Sequence, residues 1–272
     1  MTHGLPLPEA KLDEKVDLSL RHVAAVGRHA AKPVDAAAFF EFGAGWDLAM
    51  PLLLYCLGVE RQTVVDIRPL RRPELVFAMA ERLRTRSLPE AFARRPRPRA
   101  AEPLDAFLRE HGITYLAPCD AGDTGLPAGS VDVVTSTNTL EHIPGADIIR
   151  IMRECGRLLA PGGILSQQID YQDHYAYFDR SVTVYNFLRY DERRWRWFNP
   201  TLHFQTRLRH CQYLELFAEA GLEVVACETV DGSNGDQAAI AALPPAPQFR
   251  AFTADELAVR RSRVVLRPAG DR

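Results

Sequence analysis

A buried strand that ends in a glycine turn constrains this chain more than any other stretch. The run Ala36 to Phe42 is almost wholly apolar, as expected of a strand covered on both faces of a parallel sheet. Gly43 and Gly45 follow, and glycine adopts backbone angles closed to other residues and lets a ligand lie against the main chain. Asp47 precedes the apolar run Leu48 to Leu57, where an acid suits the positive end of a helix. Together these features predict a nucleotide-binding site.

A second strand brings another polar group to this site. Gln62 to Ile67 is rich in β-branched residues and contains Asp66, which lies 66 − 45 = 21 residues beyond Gly45. An acid at the tip of a second strand can accept hydrogen bonds from ribose hydroxyls. NAD enzymes use such an acid too, so Asp66 predicts a ribose ligand without choosing the cofactor. A dinucleotide fingerprint would place a third glycine at position 48, where this chain has Leu48.

The composition excludes several classes of protein. The 272 residues are 47% hydrophobic and 25% charged with a formal net charge of −2, which gives no overall attraction to nucleic acid or anionic membrane. Five cysteines without a C-x-x-C pair predict reduced thiols rather than a disulfide framework or zinc site. Secretion-signal features and long apolar runs are both missing from the sequence. We predict a soluble cytoplasmic protein with a small-molecule partner and leave its oligomeric state open, a homodimer included.

The rest of the chain alternates between strands and helices. Residues 1–35 predict a helical N-terminal segment that packs beside the first strand, with a lid over the cofactor as the alternative. Further strands are predicted at Ile113–Leu116 and Ser130–Thr137, after the turn 160–165, and at Leu222–Val230 and Ser262–Arg267. The order βαβαβαβαβ predicts right-handed crossovers and a parallel sheet with ligands at the strand carboxyl ends. The Arg/Pro stretch 94–99 is interpreted as a solvated loop, with an anion-binding patch as the alternative.

Two loops at strand ends connect these patterns to a known family. The fourth strand runs into Leu140-Glu141-His142, and the third runs into a loop that contains Asp120. With the stretch Glu41 to Gly45, read as E-x-G-x-G, the chain resembles the class I S-adenosylmethionine (AdoMet) methyltransferases. A third glycine of the fullest motif is replaced by Asp47. The pattern around Leu140-Glu141-His142 is a signature of that family, and a dehydrogenase has no particular use for it.

The resemblance implies an α/β fold: a Rossmann-like, seven-stranded, doubly wound sheet with an antiparallel last strand. It implies a methyltransferase domain over 36–272, in which an aromatic-rich insertion after strand 5, at 170–209, covers the substrate. In the family the acid of the glycine motif faces the ammonium end of AdoMet, and an Asp like Asp120 contacts the adenine amino group. The predicted cofactor-binding residues are Glu41, Gly43, Ala44, Gly45, Asp66, Ile67, Asp120, Ala121 and Thr137.

The insertion leaves the end of the fifth strand, so we expect it to cover the mouth of the site. Aromatic side chains with a polar tip suit a partly wet substrate site, and they also suit a small satellite core. Tyr171, Tyr175 and Arg207 are the predicted acceptor-binding residues. The amino-acid sequence of the insertion resembles that of bacterial methyltransferases linked to sugar or surface-polysaccharide biosynthesis.

Methyl transfer from a sulfonium is an in-line displacement, so the protein mainly aligns nucleophile, methyl carbon and departing sulfur. A hydroxyl acceptor also needs a base, and histidine suits that role near neutral pH. The candidates are His142, His174 with the adjacent carboxylate of Asp173, and more weakly His203; His142 can instead be a structural hydrogen-bonding group.

A divalent cation is the alternative to a base, since a bound ion can acidify a diol. Its predicted ligands would be Glu141, Asp170, Asp173 and His174, although the default prediction is that no metal is used. The leading functional prediction is an AdoMet-dependent O-methyltransferase of a small or sugar-like acceptor. The alternatives are N-, carboxyl- or C-methylation of a secondary metabolite, or a catalytically silent AdoMet-binding module.

Overall fold

The computed structural model describes residues 6–98, 103–232 and 234–270, and a seven-stranded sheet forms its centre. Arg99 of the Arg/Pro stretch lies outside the described residues. The strands are β1 (Ala38–Phe42), β2 (Arg61–Val65), β3 (Ile113–Leu116), β4 (Val131–Thr137), β5 (Leu159–Asp170), β6 (Leu222–Val230) and β7 (Arg261–Pro268). The helices are α1 (Glu9–His29), α2 (Ala49–Cys56), α3 (Pro73–Thr85), α4 (Leu104–Glu110), α5 (Gly145–Leu158), α6 (Glu192–Phe198), α7 (His210–Glu219), α8 (Asn234–Ala242) and α9 (Ala254–Ala258).

The sheet has the order β3-β2-β1-β4-β5-β7-β6. Its first five strands pair in parallel, and β7 lies antiparallel between β5 and β6. The strand order reverses between β1 and β4, the position where open α/β sheets bind ligands at the strand carboxyl ends. All seven residues of β4 are buried, in keeping with a central strand covered on both faces. The predicted fold class is confirmed.

Two local predictions were wrong. The alternation of strands and helices fails between β3 and β4, since residues 117–130 are described throughout and contain no helix. The sequence predicts no helix between the strands Leu222–Val230 and Ser262–Arg267, but this region contains α8 and α9. A capping box between Thr253 and Glu256 starts α9, and Ile240 and Leu257 give these short helices apolar anchors.

Helix α1 packs against the main core of the domain. Leu12 and Val16 are buried with the apolar side chains of α2 and α3, and Val26 is buried with those of β1 and β5. His22 is 1% exposed and hydrogen-bonds Ser166 Oγ at 2.8 Å and Thr137 Oγ1 at 3.1 Å. The helix is thereby fixed to β4 and β5.

The insertion after β5 has a core of its own. Tyr185, Phe187 and Trp195 are buried together with side chains of the segment that carries α8 and α9, among them Phe249 and Leu257. Other aromatic side chains of the insertion stay exposed, namely Tyr175, Tyr177, Phe178, Trp197 and Phe198. Part of the aromatic content therefore serves packing, and the rest lies at the surface.

Candidate functional site

The glycine turn joins β1 to α2 at the centre of the sheet. Gly43 and Gly45 have φ angles of 76° and 79°, which side-chain-bearing residues rarely adopt. Gly43 N donates a hydrogen bond to Val65 O at 3.1 Å, which ties the turn to β2. Asp47 Oδ1 accepts a hydrogen bond from Ala49 N at 3.1 Å, so this carboxylate holds the first turn of α2. The turn places backbone N–H groups and a helix start beside the ends of β1 and β2.

Glu41, near the end of β1, is a buried acid with free bonding capacity. It is 3% exposed, and its Oε2 has no hydrogen-bond partner among the described residues. Burial raises the pKa of Glu41 to about 8; the charge of Asp66 adds to that rise, and the ammonium of Lys15 on α1 opposes it. A carboxylate in this position can accept a cationic ligand that enters the turn.

Asp66 follows β2 directly and is 5% exposed. It accepts a hydrogen bond from the Tyr115 hydroxyl at 2.9 Å, and burial, partly offset by this bond, raises the pKa of Asp66 to about 6. Ile67 beside it is 68% exposed, an apolar surface at the rim of the same strand end. Asp66 therefore lies where a ribose can reach it, with one oxygen already hydrogen-bonded to Tyr115.

Asp120 and Thr137 already have protein partners. Asp120 accepts a hydrogen bond from Gly122 N at 2.8 Å and pairs with Arg150 at 2.9 Å. Burial alone would raise the pKa of Asp120, but these two contacts lower it. Thr137 is the partner of His22, and Ala44 and Ala121 are small residues at the turn and at the Asp120 loop. The assignment of all four to the cofactor stays a prediction.

His142 and His174 meet although they lie on different elements. Their ring centroids are 5.0 Å apart, and His174 also packs on Tyr177 at 5.3 Å. His142 Nδ1 lies 2.9 Å from Phe204 O. Burial lowers the pKa of both imidazoles, that of His174 to about 4. Both rings are therefore neutral at physiological pH.

Glu141 lies beside this pair with a fully buried carboxylate. It is 1% exposed, and neither Oε1 nor Oε2 has a hydrogen-bond partner among the described residues. Burial, and next the charge of Asp170, raises its pKa well above the usual range. One potential ligand atom from each of Glu141, His142 and His174 lies within 4.8 Å of the others.

Asp170 and Asp173, the two insertion carboxylates that the sequence analysis grouped with His174, have different surroundings. Asp173 Oδ1 accepts the N–H of Tyr175 at 2.9 Å, and Asn186 Nδ2 donates to its Oδ2 at 3.4 Å. Asp170, at the end of β5, is the carboxylate near the His174 ring, with 4.0 Å between Asp170 Oδ2 and His174 Nε2. A catalytic role for Asp173 stays a prediction.

The three predicted acceptor-binding residues lie in different surroundings. Tyr171 is 2% exposed, and its hydroxyl lies 2.6 Å from Ser262 Oγ. Arg207 is 5% exposed and donates to Phe187 O at 2.9 Å inside the core of the insertion. Tyr175 is 45% exposed. Of the three, Tyr175 has the most accessible side chain, and the structure does not bring these residues together.

Four acids line the carboxyl ends of four adjacent strands: Asp66 after β2, Glu41 on β1, Glu141 after β4 and Asp170 on β5. All four are buried, at 5%, 3%, 1% and 4% exposure. Asp66 and Asp170 accept hydrogen bonds from neighbouring side chains, whereas Glu41 Oε2 and both oxygens of Glu141 have no partner among the described residues. A cationic ligand at this edge would compensate those two acids. A sulfonium with an ammonium group has that charge.

A cavity of about 430 Å³ lies next to this region, between α1 and the β6–β7 hairpin. Its wall is formed by ion pairs, with Glu14 and Arg261 at 2.6 Å and Arg263 paired with Glu228. The glycine turn is absent from its lining. This groove is therefore separate from the glycine turn.

Sequence reasoning missed several residues that shape the site. Lys15, Tyr115 and His22 act on Glu41, Asp66 and Thr137 from distant parts of the chain. Arg209 is 0% exposed and donates to Tyr171 O at 3.0 Å and Val259 O at 2.9 Å, which joins the insertion to β7. An arginine beside aromatic residues in the sequence carries no signal that it will be buried.

Comparison with known families finds one similarity, in the middle of the chain. A family profile described as methyltransferase domain matches residues 93–166, which include β3, β4, α5 and Leu140-Glu141-His142. The matched stretch is 74 of the 272 residues, and over this part the chain is similar to a methyltransferase domain. Such a domain would take its methyl group from AdoMet, and the chemistry of the glycine turn, Glu41 and Asp66 suits that ligand.

Solved structures with the same fold cover nearly the full length of this chain. A SAM-dependent methyltransferase from Leishmania major is 13% identical, with 98% of this chain and 77% of that one covered at a TM-score of 0.53. The (4+2)-cyclase SpnF is 16% identical, with 95% and 81% covered at a TM-score of 0.53. A Pyrococcus horikoshii protein is 13% identical, with 98% and 96% covered at a TM-score of 0.53. At these identities the likeness shows the fold alone; comparison with curated protein sequences returns no match.

Two further findings concern the cysteines and the apolar character of the helices. All five cysteines are free thiols, and Cys56 and Cys155 are buried. No helix in the described part of the chain combines the length and the apolar character needed to cross a membrane.

Proposed function

We propose that this enzyme transfers the methyl group of AdoMet to a hydroxyl of a small or sugar-like acceptor in the cytoplasm. The observation that carries the proposal is the carboxylate of Glu41, buried beside a glycine turn at the switch point of the sheet, whose Oε2 has no hydrogen-bond partner within the described part of the chain. A buried acid without a partner is costly unless a ligand compensates it. The ammonium end of AdoMet would do so.

The remaining cofactor contacts follow from the same strand ends. Asp66 would accept hydrogen bonds from the ribose hydroxyls, and the exposed face of Ile67 would pack on the adenine. Ala44, Gly45 and the N–H groups of the turn would lie against the amino acid part. Asp120 and Ala121 would border the adenine, provided that the Asp120–Arg150 pair rearranges or leaves one oxygen free.

The acceptor hydroxyl would bind at Glu141, His142 and His174, in the loop region where the family places the transferable methyl group. Its oxygen forms a bond to the methyl carbon as the carbon–sulfur bond breaks, and sulfur keeps the electron pair to give neutral S-adenosylhomocysteine. Where no metal ion is bound, the hydroxyl proton would leave to this histidine pair. The exposed aromatic ring of Tyr175 offers a platform for a sugar-like acceptor.

Calorimetric titration with AdoMet, S-adenosylhomocysteine and NAD tests the cofactor assignment. Binding of the first two ligands without NAD is the expected result. NAD binding alone would show that the glycine turn and Asp66 serve a dinucleotide. Mass-spectrometric detection of a methylated product in a panel of sugars, phenols, amines and carboxylic acids then tests the O-methyl assignment.

A silent or non-methylating AdoMet protein is the second candidate, since SpnF has this fold and is described as a cyclase. AdoMet binding without methylation of any acceptor in the panel would favour it. The features that favour catalysis here are the contact between His142 and His174 and the Glu141 carboxylate, which has no hydrogen-bond partner among the residues described.

A further inference from the structure

Three side chains with metal-binding chemistry converge at the end of β4. Glu141 and His142 come from one turn after the strand, and His174 comes from the first turn of the insertion. Their potential donor atoms lie within 4.8 Å of one another. With metal–ligand bonds of roughly 2.1 Å, donors around one ion stand about 3–4 Å apart, so an ion needs to draw the three inward by only about 1 Å.

Two of the three residues contribute buried atoms without a protein partner, while His142 is exposed and lies at the open side of the cluster. Both carboxylate oxygens of Glu141 and the Nε2 atom of His174 have no hydrogen-bond partner in the described part of the chain. Glu141 is 1% exposed, and burying a carboxylate without hydrogen-bond partners costs free energy unless a ligand compensates it. These atoms point to a ligand that bonds to all of them.

The surroundings orient the donors and exclude the competing carboxylates. Phe204 O can only accept, so His142 Nδ1 carries the proton and its Nε2 presents a lone pair, the arrangement that orients histidine ligands in metal sites. Asp170 already accepts from Gln172 and Tyr177, and Asp173 accepts from Tyr175 and Asn186. The ligand set expected from the sequence thus changes, with His142 in place of the two aspartates.

We infer that Glu141, His142 and His174 bind a divalent first-row transition-metal ion. Two imidazole nitrogens and one carboxylate suit Zn²⁺, Mn²⁺, Fe²⁺ or Co²⁺ better than Mg²⁺, which prefers an all-oxygen octahedral shell. Three protein ligands leave coordination positions open. The ion is held by side chains from both β4 and the insertion, so it also fixes the first turn of the insertion over the strand ends.

The open positions define the class of acceptor, a step that rests on the proposed function. Two adjacent oxygens of a vicinal diol, or a hydroxyl beside a carbonyl, would chelate the ion. The bound hydroxyl then loses its proton to solvent, and the oxygen attacks the methyl carbon while sulfur departs with the bonding pair. The histidines hold the ion and do not themselves remove the proton.

Metal titration of EDTA-treated, dialysed protein tests the inference without AdoMet or acceptor. Mn²⁺ binding is followed by loss of the free-ion electron paramagnetic resonance signal, and Co²⁺ binding by visible absorption. We expect one ion per chain, with affinity reduced at least about tenfold in Glu141→Gln and in His174→Gln. His29→Gln, which changes an exposed histidine at the end of α1, is the matched control and should bind as wild type does.

The outcomes separate this inference from the proposed function. No stoichiometric ion in wild type, or equal affinity in Glu141→Gln, overturns the metal site even when AdoMet binds. Failure of AdoMet to bind with an intact metal site overturns the proposed function alone. Circular dichroism of each variant shows whether it is folded. Glu141→Gln and His174→Gln lie on separate elements, so a local folding defect in one variant would leave the other variant informative.

Discussion

Gly43 and Thr139 lie so close that a Cβ on the glycine would stand 2.3 Å from Thr139 Cγ2. Gly45, two residues further on, has nothing within 4 Å of the same constructed position. The two glycines of the turn therefore serve different purposes. Gly43 makes room for the loop after β4, while Gly45 borders the open space that a ligand would use.

Alanine at each glycine should separate these purposes. Gly45→Ala should cost about 1–2 kcal/mol of stability because of its positive φ, and it should also weaken AdoMet binding because the methyl group enters the ligand space. Gly43→Ala should destabilise the fold more, because Thr139 must move. Urea unfolding and calorimetry measure both effects. Wild-type AdoMet affinity in folded Gly45→Ala would show that the cofactor binds elsewhere.

The pH dependence of AdoMet binding should report on Glu41. Its pKa is raised to about 8, so the free protein holds a neutral acid below that pH and a carboxylate above it. The ammonium of the ligand favours the carboxylate, so affinity relative to Glu41→Gln should rise about tenfold per unit below pH 8 and level off above it. The ratio of the two proteins cancels titration of AdoMet itself. A ratio that stays constant from pH 6.5 to 9 would contradict the assigned contact.

Lowering the pH should destabilise the protein, because the buried imidazole of His22 resists protonation in the folded state. Burial, with a smaller contribution from Arg263, lowers the pKa of His22 to about 4, so the unfolded chain takes up a proton at a higher pH than the folded one. The stabilisation is complete above about pH 6.5 and should be lost as the pH falls toward 4, by about 3 kcal/mol in all.

Urea unfolding at pH 7.5, 6 and 5 measures this effect as the difference between wild type and His22→Gln. That difference should shrink as the pH falls, because glutamine does not titrate. The matched control is His29→Asn, on the exposed end of the same helix, which should leave the difference near zero at every pH. A His22 difference that is independent of pH would mean that its imidazole is not held neutral.

Arg209 should be the most costly arginine to replace. Burial lowers its pKa to about 10, and it donates to the carbonyls of Tyr171, Val259 and Leu257. Arg209→Met keeps most of the apolar stem but leaves these acceptors unsatisfied, at about 1–3 kcal/mol for each buried group. We expect a loss of roughly 3 kcal/mol in urea unfolding.

Arg189→Met, which changes an exposed arginine of the same insertion, provides the comparison and should lie within about 0.5 kcal/mol of wild type. If both variants had the stability of wild type, Arg209 would not connect the insertion to β7.

The sheet could be predicted from the sequence because its strands are local apolar runs with clear ends. Leu222–Val230 and Ile113–Leu116 were predicted with the bounds that the structure shows. The helices α8 and α9 were missed because they are short and weakly patterned. Their stability comes from contacts with the insertion, such as those of Leu257, and no local pattern reports such contacts.

In the candidate site, too, some contacts could be predicted from the sequence and others could not. Glu41, Asp66 and the Leu140-Glu141-His142 turn follow strands, so their place at one edge of the sheet could be predicted. The meeting of His142 with His174 depends on how the insertion folds back, and the engagement of Asp173 with Tyr175 depends on its own turn. Spacing along the chain does not determine either contact.

The position of β7 has a consequence for the order in which the sheet can close. β5 and β6 do not pair with each other, because β7 lies between them and pairs with both. The edge of β5 that carries Asp170, next to the candidate site, is therefore covered only once β7 has paired with it. β6 is joined to the sheet through β7, so its place depends on a contact between strands that α8 and α9 separate in the chain.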